Sequence, residues 1–122
     1  MKRVLVVEDN DTNMYLISFL LERNGYQVIK ATTGEDGVSR TISEQPDLVL
    51  MDIQLPGIDG HEATRRIRKS RECDDVPIVA LTSYAMTGDR GKALAAGCAG
   101  YIEKPINPDI FIEQITKHME GE

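Results

Sequence analysis

The chain has 122 residues, 41% of them hydrophobic and 28% charged, with a formal net charge of −6. That size suits one domain with its own core, and the composition is ordinary for a globular protein. The negative balance should repel nucleic acid, and no apolar run approaches the ~20 residues of a membrane span, so neither is an expected partner. The apolar run at residues 4–7 is too short for a secretory signal and no small-residue cleavage site follows it, so the expected location is cytoplasmic. Cys73 and Cys98 fit no metal-ligand spacing and read as two free thiols. His61 and His118 are isolated, each on a stretch that reads as helix surface.

Taken in order, short apolar runs at 4–7, 28–31, 48–51, 78–81 and 101–102 read as strands. Helical spacing fills the gaps between them. Residues 13–24 carry Met14, Ile17, Leu20 and Leu21 on one stripe, closed by Gly25. Residues 34–43 form a weaker pattern, with Val38 and Ile42 four apart, and 59–71 offer Ala63 and Ile67. Residues 86–96 are predicted helical although Gly88 and Gly91 each cost ~1 kcal/mol against alanine. Asn107 and Pro108 are expected to open the last helix as cap and first-turn residue, with Phe111, Ile112, Ile115 and Met119 as its core stripe. Strand and helix alternate five times. That order predicts one α/β domain over 1–122: a flavodoxin-like, doubly wound, five-stranded parallel sheet of order 2-1-3-4-5, flanked by five helices.

In such sheets ligands bind beyond the carboxyl ends of the strands. The first strand is followed by Glu8 and Asp9, the third by Asp52, the fourth by Thr82, and the fifth by Glu103, Lys104 and Pro105. Taken singly, each has a plainer reading: Glu8 and Asp9 as acids at a helix start, Thr82 as a turn residue, Lys104 as a solvated side chain. Together they place carboxylates, a hydroxyl and an ammonium on one rim. Three such acids against one lysine leave about −2, a charge that a divalent cation would cancel. Oxygen donors without histidine or thiolate favour a hard ion, and magnesium suits best. A phosphoryl group is then the natural guest.

The segments "VLVVEDND" (4–11), "PDLVLMDIQLPGIDG" (46–60), "PIVALTSYA" (77–85) and "GYIEKPI" (100–106) resemble the receiver domains of two-component response regulators. The resemblance spans essentially the whole chain and is nearest to DivK-like single-domain regulators and to receivers attached to hybrid kinases. It implies that Asp52 is the phospho-acceptor, and that Glu8 (through a water), Asp9, Asp52 and the Gln54 carbonyl hold Mg2+. It also implies that Lys104 contacts a phosphoryl oxygen, that the bond to Pro105 is cis, and that Thr82 and Tyr101 form the switch. The donor would be a histidine kinase or histidine phosphotransferase, and the output a downstream protein target met by the fourth helix, last strand and last helix. No output domain is expected after the last helix. Gln54 and Tyr84 match positions that tune phosphoryl lifetime in the family, and Tyr15 and Ser18 are expected to be exposed near the kinase-docking surface.

Other readings are weaker. An aspartyl phosphatase would need a second acid where Gln54 stands. A flavin carrier would need more aromatic residues than 5% of the chain, and the loop "ATTGEDG" follows the wrong strand for one. The basic run Arg65, Arg66, Arg68, Lys69 and Arg71 suits a helix C-terminus and reads as a solvated face.

Overall fold

The computed structural model describes residues 2–70, 73, 75–83 and 89–120. Its elements run β1 (Arg3–Val7), α1 (Asp11–Arg23), β2 (Gln27–Ala31), α2 (Gly34–Glu44), β3 (Leu48–Asp52), α3 (Gly60–Arg68), β4 (Ile78–Thr82), α4 (Asp89–Ala96), β5 (Gly100–Glu103) and α5 (Phe111–Glu120). The strands form one parallel sheet in the order β2-β1-β3-β4-β5. The architecture is the one expected from the alternation of strands and helices.

The sheet forms because its central strands β1, β3 and β4 are apolar on both faces, which only a sheet covered on both sides accommodates. Successive β1 side chains divide between two cores. Leu5 and Val7 pack with Met51, Ala63, Ile67 and Ala93 on the side of α3 and α4, and Val4 and Val6 with Ile17, Leu21, Phe111 and Ile115 on the side of α1 and α5. Burial of each such side chain contributes roughly 1.5–3 kcal/mol.

Helix limits moved where local caps intervene. Asn10 accepts the Asn13 N–H at 2.9 Å, so α1 begins at Asp11 rather than residue 13. Asn107 does cap a turn, accepting the Asp109 N–H at 3.0 Å, but α5 proper starts only at Phe111. Asp59 caps α3 through the Glu62 N–H at 2.9 Å, and α3 ends at Arg68, three residues short of the expected limit. Met86 and Gly88 of the fourth predicted helix lie outside the described residues.

Three side chains face other than expected. Ser18 is buried, because α1 packs over more of its circumference than the Met14–Ile17–Leu21 stripe. Ile42 is exposed, because α2 turns its small residues Gly34, Gly37 and Thr41 inward, with Thr41 Oγ1 donating to Gly37 O at 2.7 Å. His61 is buried rather than on the surface, since the first turn of α3 faces inward, and no described residue hydrogen-bonds its Nε2. Cys73 and Cys98 are buried thiols, and burial pushes the Cys98 thiol up, keeping it protonated and inert.

The start of α3 sits against the end of β3 at backbone distance. A Cβ on Gly60 would collide with Asp52 O and stand 2.8 Å from Ile53 Cα. Gly60→Ala should therefore cost about 1–3 kcal/mol or more in urea unfolding. Gly91, within α4 and with nothing within 4 Å of its Cβ position, should behave oppositely. Gly91→Ala is expected to raise stability by about 0.5–1 kcal/mol.

Candidate functional site

Parallel register delivers the acids to one rim. β1 pairs with β3 through Val7 and Met51, so the residues following each, Glu8 and Asp52, stand side by side at the carboxyl edge of the sheet. Glu8 and Asp52 are 1% and 2% exposed, whereas Asp9 is exposed. One carboxylate oxygen from each of Glu8, Asp9 and Asp52 lies within 4.8 Å of the others. Lys104, arriving from the end of β5, places Nζ 3.0 Å from Asp52 Oδ1 and 3.2 Å from Glu8 Oε1. The Lys104–Pro105 peptide is cis, and the Lys104 N–H donates to Thr82 O at 2.8 Å.

Backbone groups trim the acids further. The Gln54 N–H donates to Asp52 Oδ1 at 3.1 Å, and the Asn10 N–H to Glu8 Oε2 at 3.2 Å. Lys104 and the Gln54 N–H thus donate to the same Asp52 oxygen. The cleft they line holds roughly 640 Å³ and includes Asn13, Ser83 and Pro105.

The charges are poised against one another. Burial first, and repulsion from Asp52 second, push the Glu8 carboxyl up from 4.5 to about 6. Burial works against the Lys104 ammonium, but its hydrogen bond and attraction to Asp52, with Glu8 adding to both, hold its pKa above the ordinary lysine value. A buried acid pair served by one lysine leaves negative charge uncompensated. An all-oxygen donor set with one exposed member fits a hard divalent cation that keeps part of its water shell.

The sequence-derived residues divide into two groups. Glu8, Asp9, Asp52, Gln54 and Lys104 meet at the cleft. Thr82 and Tyr101 are not among its lining residues. Thr82 is buried at the end of β4 and Tyr101 half-buried on β5. The register pairs Ala80 with Tyr101 and Thr82 with Glu103, so Thr82 and Tyr101 share the sheet face covered by α4. Tyr84 lies outside the described residues. Asn10, Asn13 and Ser83 also line the cleft, Asn10 as the cap of α1, Asn13 in its first turn, and Ser83 directly after the last residue of β4. The basic run of α3 is used structurally: Arg65 and Arg66 pair with Glu62, and Arg68 Nε donates to Gly97 O at 2.9 Å. Arg71 lies outside the described residues. On α1, Tyr15 and Phe19 are exposed with ring centroids 6.2 Å apart, and Arg23 stands over Phe19.

Comparison with known proteins agrees with this geometry. Residues 4–116 match the family model of the response regulator receiver domain. The polar-differentiation response regulator DivK of Brucella ovis is 40% identical over 118 residues, covering 97% of this chain and 96% of that protein. The receiver domain of a sensor histidine kinase from Pseudomonas aeruginosa, solved with a magnesium ion coordinated in its active-site cleft, is 36% identical. It covers 99% of this chain and 98% of that one, with a TM-score of 0.90. The chemotaxis protein CheY4 of Vibrio cholerae is 25% identical with a TM-score of 0.91, covering 96% of this chain and 98% of that one.

The raised Glu8 pKa has a stability consequence of definite sign. The folded chain holds this proton up to about pH 6, whereas the unfolded chain releases it near 4.5. Glu8 therefore contributes stability below pH 4.5 that is lost as pH rises through 6, about 2 kcal/mol in all. Glu8→Gln should stabilise the metal-free protein at pH 7 by about 1–2 kcal/mol and give no gain near pH 4.5. Urea unfolding in chelator at the two pH values measures the difference. An equal gain at both would refute the electrostatic origin.

Proposed function

The chain belongs to the response regulator receiver domain family, and we propose that it is a phospho-accepting switch with Asp52 as the acceptor. The observation that carries this reading is the meeting of Glu8, Asp9 and Asp52 within 4.8 Å, with Lys104 3.0 Å from Asp52. The donor is a phosphohistidine on a histidine kinase or histidine phosphotransferase. An Asp52 oxygen attacks phosphorus in line. The new O–P bond forms as the P–N bond breaks, and the electron pair returns to the imidazole of the donor. The nucleophile is a carboxylate rather than a hydroxyl, so the attack requires no general base. With Lys104 and the Gln54 N–H both on Oδ1, Oδ2 is the oxygen that makes the bond.

Asp9 and Asp52, the Gln54 carbonyl and, through water, Glu8 would hold Mg2+. When bound, the ion neutralises the acids and the incoming phosphoryl oxygens. Lys104 follows the charge from Asp52 Oδ1 to a phosphoryl oxygen. Thr82 donates its hydroxyl to another, and because it shares a sheet face with Tyr101, its movement makes room for the ring. The outcome is a population shift over α4, β5 and α5, read by a downstream protein target. Apart from acquiring and losing its own phosphoryl group, the domain carries out no turnover. No helix among the described residues is long and apolar enough to cross a membrane, and the acidic balance disfavours nucleic acid. We place this activity in the cytoplasm, on one receiver domain over 1–122.

The test is incubation with Mg2+ and acetyl phosphate, followed by intact-mass and peptide spectrometry. One phosphoryl group should appear on Asp52, decay slowly, and be absent in Asp52→Asn or in chelator. Rapid turnover of assorted phosphate esters would point instead to a phosphatase.

A further inference from the structure

We infer that Gly34, at the start of α2, and Ile58, in the loop joining β3 to α3, are positioning residues for the acceptor site. Their contact sets where that loop holds the Asp52 carboxylate and the Gln54 carbonyl. The inference rests on the phospho-acceptor reading and concerns residues outside the cleft.

The loop from Ile53 to Asp59 is closed at its base. The Ile53 N–H donates to Leu81 O at 3.1 Å, and the Gly60 and Leu55 N–H groups both donate to Ile53 O, at 3.0 and 3.2 Å. Closing the base leaves the outer half to be held by something else, and α2 does it. A Cβ on Gly34 would lie 2.6 Å from Ile58 Cγ1, 3.1 Å from its Cδ1 and 2.9 Å from its carbonyl oxygen. The last of these is backbone, so a side chain at 34 could not be accommodated by a rotamer change in Ile58 alone. Next to this contact, Gly57 faces the Glu35 carboxylate, whose Oε2 would stand 3.4 Å from a Cβ there. Thr33 caps α2 by accepting the Asp36 N–H at 3.0 Å, which fixes the end of the helix against which the loop rests.

Displacement of the loop reaches the acid directly. The Gln54 N–H is bonded to Asp52 Oδ1, the same oxygen that Lys104 engages, so moving Gln54 turns the carboxylate and shifts the carbonyl beside it. Outer contacts that orient metal-binding groups typically govern affinity by ten- to a hundredfold. Gly34 and Ile58 hold that place here, through packing instead of a hydrogen bond.

The experiment compares wild type, Gly34→Ala, Ile58→Ala and a control, Val38→Ala, which alters a partly buried side chain on the same helix. Each is titrated with Mg2+ by calorimetry and unfolded in urea, and its phosphorylation rate is measured with acetyl phosphate at saturating Mg2+. Gly34→Ala should weaken Mg2+ binding about tenfold, and Ile58→Ala should weaken it in the same direction. Val38→Ala should lower the urea midpoint and leave Mg2+ affinity unchanged. If Gly34→Ala does not fold, Ile58→Ala carries the comparison. Wild-type Mg2+ affinity in the variants at positions 34 and 58 overturns the inference, as does an equal loss in the control. Absence of Mg2+ uptake by wild type overturns the phospho-acceptor reading instead.

Discussion

Everything in this structure turns on three carboxylates that the sheet forces together and one ammonium that partly offsets them. β1 and β3 are locked in register through the apolar runs 4–7 and 48–51, so the acids that follow those runs, Glu8 and Asp52, emerge as neighbours. Hydrogen-bonded strands cannot separate to relieve repulsion between side chains at their ends. Lys104 answers from β5, two strands beyond β3, which ties the far edge of the sheet to its centre.

This arrangement makes the cleft responsive. Glu8 is almost wholly buried, yet its pKa is lifted into a range where modest electrostatic change alters its charge. Lys104 divides its attention between two acids, so any new anion entering the cleft competes for it. Its own backbone N–H is bonded to Thr82 O, which links the charged centre to the buried hydroxyl residue at the end of β4. The electrostatics and the packing of the α4 face are therefore joined by one backbone hydrogen bond.

The sheet was legible in the sequence because its strands are continuous apolar runs, and the cleft because strand ends in such sheets converge. Side-chain facing was less legible. Ser18 and His61 are polar, which points outward, but α1 and α3 are covered over wide arcs by elements far away in sequence. The spacing of Ile42 from Val38 points inward, but the inner face of α2 belongs to glycines and Thr41. Helix starts depended on single side chains: Asn10 captured α1 two residues early, and the turn capped by Asn107 delayed α5. Asn13 and Ser83 carry no charge to mark them in the sequence, and only the folded cleft shows that they line it.

The ion pairs on the outer helices, Asp36 with Arg40 and Glu62 with Arg65 and Arg66, are solvent-exposed and lie away from the acidic cleft. Exposed pairs of this kind contribute little to stability, because solvent screens them. Mutation can rewrite those faces almost without thermodynamic penalty, while the rim and the apolar strands stay fixed. Gene duplicates of such a chain are thus free to diverge in whom they meet long before they diverge in what chemistry they perform.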